Sequence, residues 1–255
     1  MWERSELKQK GKNVLNTTYW NSVLVCFILG ALGGASGGAG GRAGESSSDK
    51  ADVNSFLEGM SDRQLISLGL AILAVALGAT VLSMVINIFV IQPVQVGAMR
   101  YFMESRVQKS SVGCLGFAFK QSYINIVIAM FLRGLFISLW SLLLVIPGII
   151  KAYEYRMIPY IMAENPEISY KDAFRLSREM MNGEKMNTFI LDLSFFPWAL
   201  LGIITCGVGF IFYVAPYMQH TYAELYAVLR EKILASGVSS TYELKGFSND
   251  TTIIG

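Results

Sequence analysis

The chain has 255 residues, of which 53% are hydrophobic and only 16% charged, where a soluble domain carries about a quarter. The net charge of +2 says little, but its distribution says much: Asn13–Gly41, Gln64–Met99 and Leu193–Ala223 contain no Asp, Glu, Lys or Arg. Runs of this length excludes an ordinary soluble domain, because about 20 apolar residues suffice to cross hydrocarbon. Segments of about ten alternating residues are absent, which excludes a membrane barrel. The expected fold class is all-α: a polytopic transmembrane helical bundle forming one integral membrane domain. Three scattered cysteines and a single histidine suggest no disulfide frame and no metal centre, so no cofactor is expected.

In chain order, the pattern predicts six spans at about 19–35, 64–91, 121–146, 149–163, 187–206 and 209–229. A cleaved signal peptide is the alternative for the first. The long stretch before its apolar core, with Glu3 and Glu6, favours a retained span. A Gly/Ser-rich loop, 36–63, follows and lacks the GK[ST] ending of a phosphate loop. Residues 92–120 are predicted as a short basic loop, Pro147-Gly148 as a tight turn, and Cys206–Gly209 as the last turn. The fourth span is the weakest. Its 15 residues reach only about 22 Å, and it contains Lys151, Glu154 and Arg156. With six spans, 15 of the 21 Lys and Arg residues fall on one side, so both termini and the tail 230–255 are expected in the cytoplasm.

Residues 170–182 form an amphipathic helix, with Ser169 and Asp172 at its start and Gly183 at its stop. Lys171, Arg175 and Arg178 share one face, opposite Ala173, Phe174, Leu176, Met180 and Met181. This suits a helix lying in the cytoplasmic interface, where the three basic residues would bind lipid headgroups or a partner. An ordinary connector held against the bundle is the competing reading.

Polar groups inside spans are functional candidates because they are costly there. Arg133, Asp192, His220 and Glu224 fall at depths that allow one cluster in the cytoplasmic half, with His220 and Glu224 on one helix face. The cluster is read either as a lock between helices or as the lining of a water-filled pathway. Lys151, Glu154 and Arg156 form a second polar group. Ala74/Gly78 and Gly202/Cys206 suit close helix contact. No nucleophile–base pair appears, so no catalytic residue is assigned.

The run from Tyr160 to Tyr226 resembles a bacterial membrane family known as domain of unknown function 975. The likeness rests on Glu164-Asn165-Pro166, the Ser177–Gly183 helix end, Leu191–Phe195 and Pro216-Tyr217, and the amino-terminal stretch Ser5–Trp20 is also similar. It implies a multi-pass protein of the bacterial cytoplasmic membrane and supplies no activity. The expectation is a non-enzymatic envelope, accessory or lipid-interacting membrane module. A small transporter using the polar cluster and an intramembrane lipid-processing enzyme are the alternatives. Membrane lipids are the expected partners, with another membrane protein or a second copy of the chain as further candidates and no nucleic acid.

Overall fold

The computed structural model describes residues 2–37, 61–205 and 207–247, and among these there is helix but no strand. The helices are α1 (Arg4–Gly37), α2 (Asp62–Ile86), α3 (Gln92–Glu104), α4 (Phe117–Lys120), α5 (Tyr123–Leu143), α6 (Val145–Glu154), α7 (Ile158–Glu164), α8 (Tyr170–Met180), α9 (Lys185–Leu193), α10 (Phe196–Ile204) and α11 (Ala215–Ala235). Three stretches are long and apolar enough to cross a membrane: Arg4–Leu32, Asp62–Glu104 and Tyr123–Leu143. The protein is therefore membrane-associated.

The molecule divides by what covers its apolar side chains. One half is a packed body, in which Leu7 and Leu15 of α1, Tyr101, Phe102 and Met103 of α3, all of α7, and Leu225, Tyr226 and Leu229 of α11 are buried. Leu244 and Phe247 join this core, so the predicted cytoplasmic tail is partly part of the body. The other half is bare: no residue of α2 is buried, and its Ile66, Leu70, Val75 and Leu82 are exposed. Such a surface is stable only where hydrocarbon replaces water.

The predicted loop 92–120 is a loop only in its second half. A π turn at Asn87–Ile91 joins α2 to α3, giving one continuous helix of 43 residues, about 65 Å long. The cause of the π turn lies two residues beyond it. Pro93 has no N–H for the Phe89 carbonyl, and its ring would clash with that carbonyl in a regular helix. Widening the turn relieves the clash, and the Tyr123 hydroxyl donates to the freed Phe89 oxygen at 2.6 Å. A second π turn, Phe210–Val214, precedes Pro216 in the same way. In α1 the departure from helical geometry is at Thr18 (φ −122°, ψ 20°), where Thr17 and Thr18 both donate to the Val14 carbonyl.

Four boundaries differ from expectation. The turn placed at Pro147-Gly148 occurs at Leu144, which is extended (φ −156°), and Pro147 sits in the first turn of α6 where a missing N–H costs nothing. Gly148 is required there because a Cβ would lie 2.7 Å from the Ser141 Cα. The predicted span 149–163 is not one helix: it breaks between α6 and α7, and α7 is buried in the body. The predicted span 187–206 breaks between α9 and α10 at Ser194-Phe195. The helix 170–182 forms as α8, stopped at Gly183 (φ +76°), but it does not offer an apolar face to lipid. Ala173, Phe174, Leu176 and Met180 are covered by α5, α7 and α11, so it is a connector docked on the body.

The result is two apolar hairpins projecting from the body, α5–α6 and α10–α11. In the first, Phe136 still touches Phe174 of α8, and the break at Leu144 is eight residues further on, about 12 Å away. In the second, Phe195 is buried against Tyr217, and Thr205 is ten residues beyond it, about 15 Å away. Gly207 (φ +85°) closes that turn, and Gly202 lets Phe210 approach to 2.8 Å of where a Cβ would be. Cys206 and the loop residues 38–60 lie outside the described residues. Ala74 and Gly78, expected at a helix contact, are both exposed within this chain.

Candidate functional site

The polar groups inside the apolar regions meet at the bases of the two hairpins. Asp192 ends α9, and α6 and α7 are joined by the segment that carries Arg156. The Arg156 guanidinium donates twice to the Asp192 carboxylate, at 2.5 and 3.0 Å. The Tyr153 and Tyr222 hydroxyls donate to the same carboxylate at 2.8 and 2.9 Å. The guanidinium also lies over the Tyr222 ring, 4.4 Å from its centre. One carboxylate thus accepts four bonds and ties α6 and α9 to α11. Its side chain is 25% exposed and that of Arg156 is 21% exposed, so the pair is shielded but not sealed.

Arg133 stands near this pair without joining it. Its Nε donates to the Tyr155 carbonyl at 2.9 Å, which holds α5 to the end of α6. His220 is fully buried against α1, with Nε2 2.8 Å from the Ser22 hydroxyl and its ring edge-on to Phe102. The Glu224 carboxylate lies 2.9 Å from the Arg106 guanidinium, beyond the end of α3. The four predicted residues therefore do not converge on one site. Arg133 and Asp192 share a neighbourhood through Arg156, whereas His220 and Glu224 have partners of their own. They divide because α11 presents Tyr222 to one side and His220 and Glu224 to the α1 and α3 side.

The second predicted polar group also separates. Glu154 accepts from Lys151, Arg178 and Lys185, at 2.9, 3.0 and 2.9 Å, and Arg156 belongs to Asp192. Both lie at the body. Deeper in the body, Glu164 accepts from Tyr226, Arg230 and the Gly246 backbone. Glu184 accepts from Trp2, Asn187 and Lys232, which binds the amino end to α9 and α11. Burial raises the Glu184 carboxyl, but these donors outweigh it and hold the group below its ordinary value of 4.5.

Of the three basic residues proposed for headgroups, Arg175 bonds Glu243 and the Val238 carbonyl, and Arg178 bonds Glu154. Lys171 is exposed. Arg175 and Arg178 remain partly exposed, at 42% and 57%, so their bonds inside the protein compete with any headgroup. Sequence reasoning missed Tyr153, Tyr222, Arg106 and Ser22 as partners. The signal for the first was present in Tyr153-Glu154-Tyr155-Arg156, where hydroxyls and a guanidinium interrupt an apolar run. Among the described residues, no group of three or more His, Cys, Asp or Glu is placed to hold a metal ion.

Comparison with known proteins adds the family and nothing about activity. No curated protein and no solved structure matches the chain. The family described as "Protein of unknown function (DUF975)" matches residues 53–233, which include both hairpins, α8 and the Asp192 network. With well over half of its length matched, the chain belongs to that family.

Proposed function

We propose that the protein is a non-enzymatic, lipid-interacting module of the bacterial cell membrane, seated in the cytoplasmic leaflet. α1 and α2 cross, the body lies on the cytoplasmic face, and the two hairpins dip into the near leaflet and return. The observation that carries this reading is the pair of apolar hairpin tips. Gly134–Ile150 and Leu193–Gly209 contain no Asp, Glu, Lys, Arg or His, and Leu142, Val145 and Ile146 are exposed at the first tip. A hairpin that crossed would turn in the far headgroup region, where polar residues are favoured. These tips extend about 12–15 Å past the body, half of a hydrocarbon core of about 30 Å. Both termini remain cytoplasmic, and only Arg42, Lys50 and Arg63 of the 21 basic residues fall outside.

The saturated ion pairs support a structural role for the polar groups. Asp192, Glu154 and Glu164 each meet several donors from the chain itself. Labelling of single cysteines with an impermeant maleimide tests the arrangement in a cysteine-free background. Ser47→Cys should react in intact cells, Lys171→Cys only after lysis, and Leu144→Cys and Val208→Cys only in detergent. External labelling of Leu144→Cys and Val208→Cys would restore six crossings. A proteoliposome flux lost in folded Asp192→Asn protein would replace this reading with transport.

A further inference from the structure

Charge is out of balance where α6, the end of α8 and the start of α9 meet. Lys151, Arg178 and Lys185 all donate to the Glu154 carboxylate, at 2.9, 3.0 and 2.9 Å. Among the described residues none of the three pairs with another acid, so three positive charges face one negative. Glu154 is nearly covered, but the cations are not: the Lys151, Lys185 and Arg178 side chains are 24%, 36% and 57% exposed. Arg178 spends its Nε on Glu154, which leaves both terminal nitrogens as donors. Each lysine ammonium likewise keeps N–H donors beyond the one it spends. The Lys151 ammonium also lies over the Trp140 and Tyr155 rings, which fix its position.

Apolar side chains are exposed beside this cluster. At 100° per residue, Lys185, Met186, Phe189 and Leu193 fall within one arc of about 100° on α9. The last three are exposed, while Thr188 and Leu191 on the opposite face are fully buried. Phe189 stands edge-on to Tyr153 of α6, and Ile149 and Ile150, next to Lys151 in the chain, are exposed too. A short helix with an outward apolar stripe and a cation at its start suits the boundary between headgroups and acyl chains. Lys151 is seven residues from the Leu144 turn, about 10 Å back along α6, which puts it near the level where that hairpin leaves the body.

We infer that Lys151, Arg178 and Lys185 bind the phosphate of one anionic phospholipid, whose acyl chains run along Phe189, Leu193 and Ile150. A surplus of positive charge attracts a headgroup of net negative charge and repels the choline of a zwitterionic one. The inference rests on the lipid-interacting reading above, but the two fail separately, since hairpin labelling is indifferent to headgroup charge.

The test uses the full chain in phosphatidylcholine nanodiscs doped with phosphatidylglycerol, with the lipid retained on extraction into detergent counted by mass spectrometry. Wild type should keep one phosphatidylglycerol per chain, enriched more than about tenfold over phosphatidylcholine. Lys151→Gln with Lys185→Gln should bring the two lipids close to parity; Arg178 still balances Glu154, so the melting temperature should stay near wild type. Arg178→Gln alone should lower the enrichment about fivefold. Lys109→Gln with Lys171→Gln, which removes the same charge at exposed positions elsewhere, should leave it unchanged. Parity in wild type would overturn the assignment, as would undiminished enrichment in folded Lys151→Gln/Lys185→Gln protein. Equal loss in the Lys109→Gln/Lys171→Gln protein would mean diffuse attraction and also overturn it. Displacement of the lipid by millimolar inorganic phosphate would reassign the cluster to a soluble anion and overturn it as well.

Discussion

Replacing Asp192 by Asn should unfasten the base of both hairpins without changing a side-chain outline. The substitution keeps the volume and removes the charge that balances Arg156. Two guanidinium bonds and two tyrosine hydroxyls converge on that carboxylate. The amide nitrogen is itself a donor and cannot accept from any of them. Breaking a buried pair from one side costs about 3–5 kcal/mol. With both side chains between a fifth and a quarter exposed, the lower end applies, about 3 kcal/mol. For a chain of this size that is a fall of about 6–12 °C in melting temperature. Thermal unfolding in nanodiscs, followed by tryptophan fluorescence, measures it. Asp192→Asn combined with Arg156→Leu removes both charges and should recover most of the loss. A single variant that melts with wild type, or a double variant that melts lower than the single, would refute the assignment of Asp192 as the anchor.

Gly97→Ala should destabilise the body by about 2 kcal/mol, because its methyl would lie 2.5 and 2.6 Å from the backbone oxygens of Leu115 and Cys114, which cannot give way cheaply. Gly78→Ala, with nothing within 4 Å, should melt with wild type under the same protocol. Tyr123→Phe should cost about 1 kcal/mol by leaving the Phe89 carbonyl without its donor, and Pro93→Ala in the same chain should recover it by restoring a backbone N–H. Because the Glu184 carboxyl lies below 4.5 when folded, its stabilising effect is present above that pH and is lost as pH falls through the lowered value. Urea unfolding at pH 7 and pH 3.5 should therefore show a steeper loss in wild type than in Glu184→Gln.

The local features of this fold could be read in the chain. Ser169 and Gly183 bound α8 because caps and a left-handed stop depend on neighbouring residues alone. The span predicted at 121–146 appears as α5, Tyr123–Leu143, because its apolar run carries no charge but Arg133. Hydropathy marks an apolar run but not the breaks within it, and that is why 149–163 and 187–206 read as single spans although each is two helices. An amphipathic pattern likewise reports burial without saying whether lipid or protein does the burying, and α8 is buried by protein. The partners of Asp192 were beyond reach for another reason: Arg156 is 36 residues away and Tyr222 is 30. The π turns did leave a mark, since Asn87-Ile88-Phe89-Val90-Ile91-Gln92-Pro93 is echoed by Phe210-Ile211-Phe212-Tyr213-Val214-Ala215-Pro216.

The 43-residue helix from Asp62 to Glu104 is anchored at one end only. Its outer part leans on almost nothing of its own chain, so leaning over costs little there, whereas Val94, Val96 and Gly97 are clamped. A bend therefore concentrates at Asn87–Ile91, where the wide turn is already the softest point of the rod. When the bilayer thins, the outer segment must tilt to keep its apolar length covered.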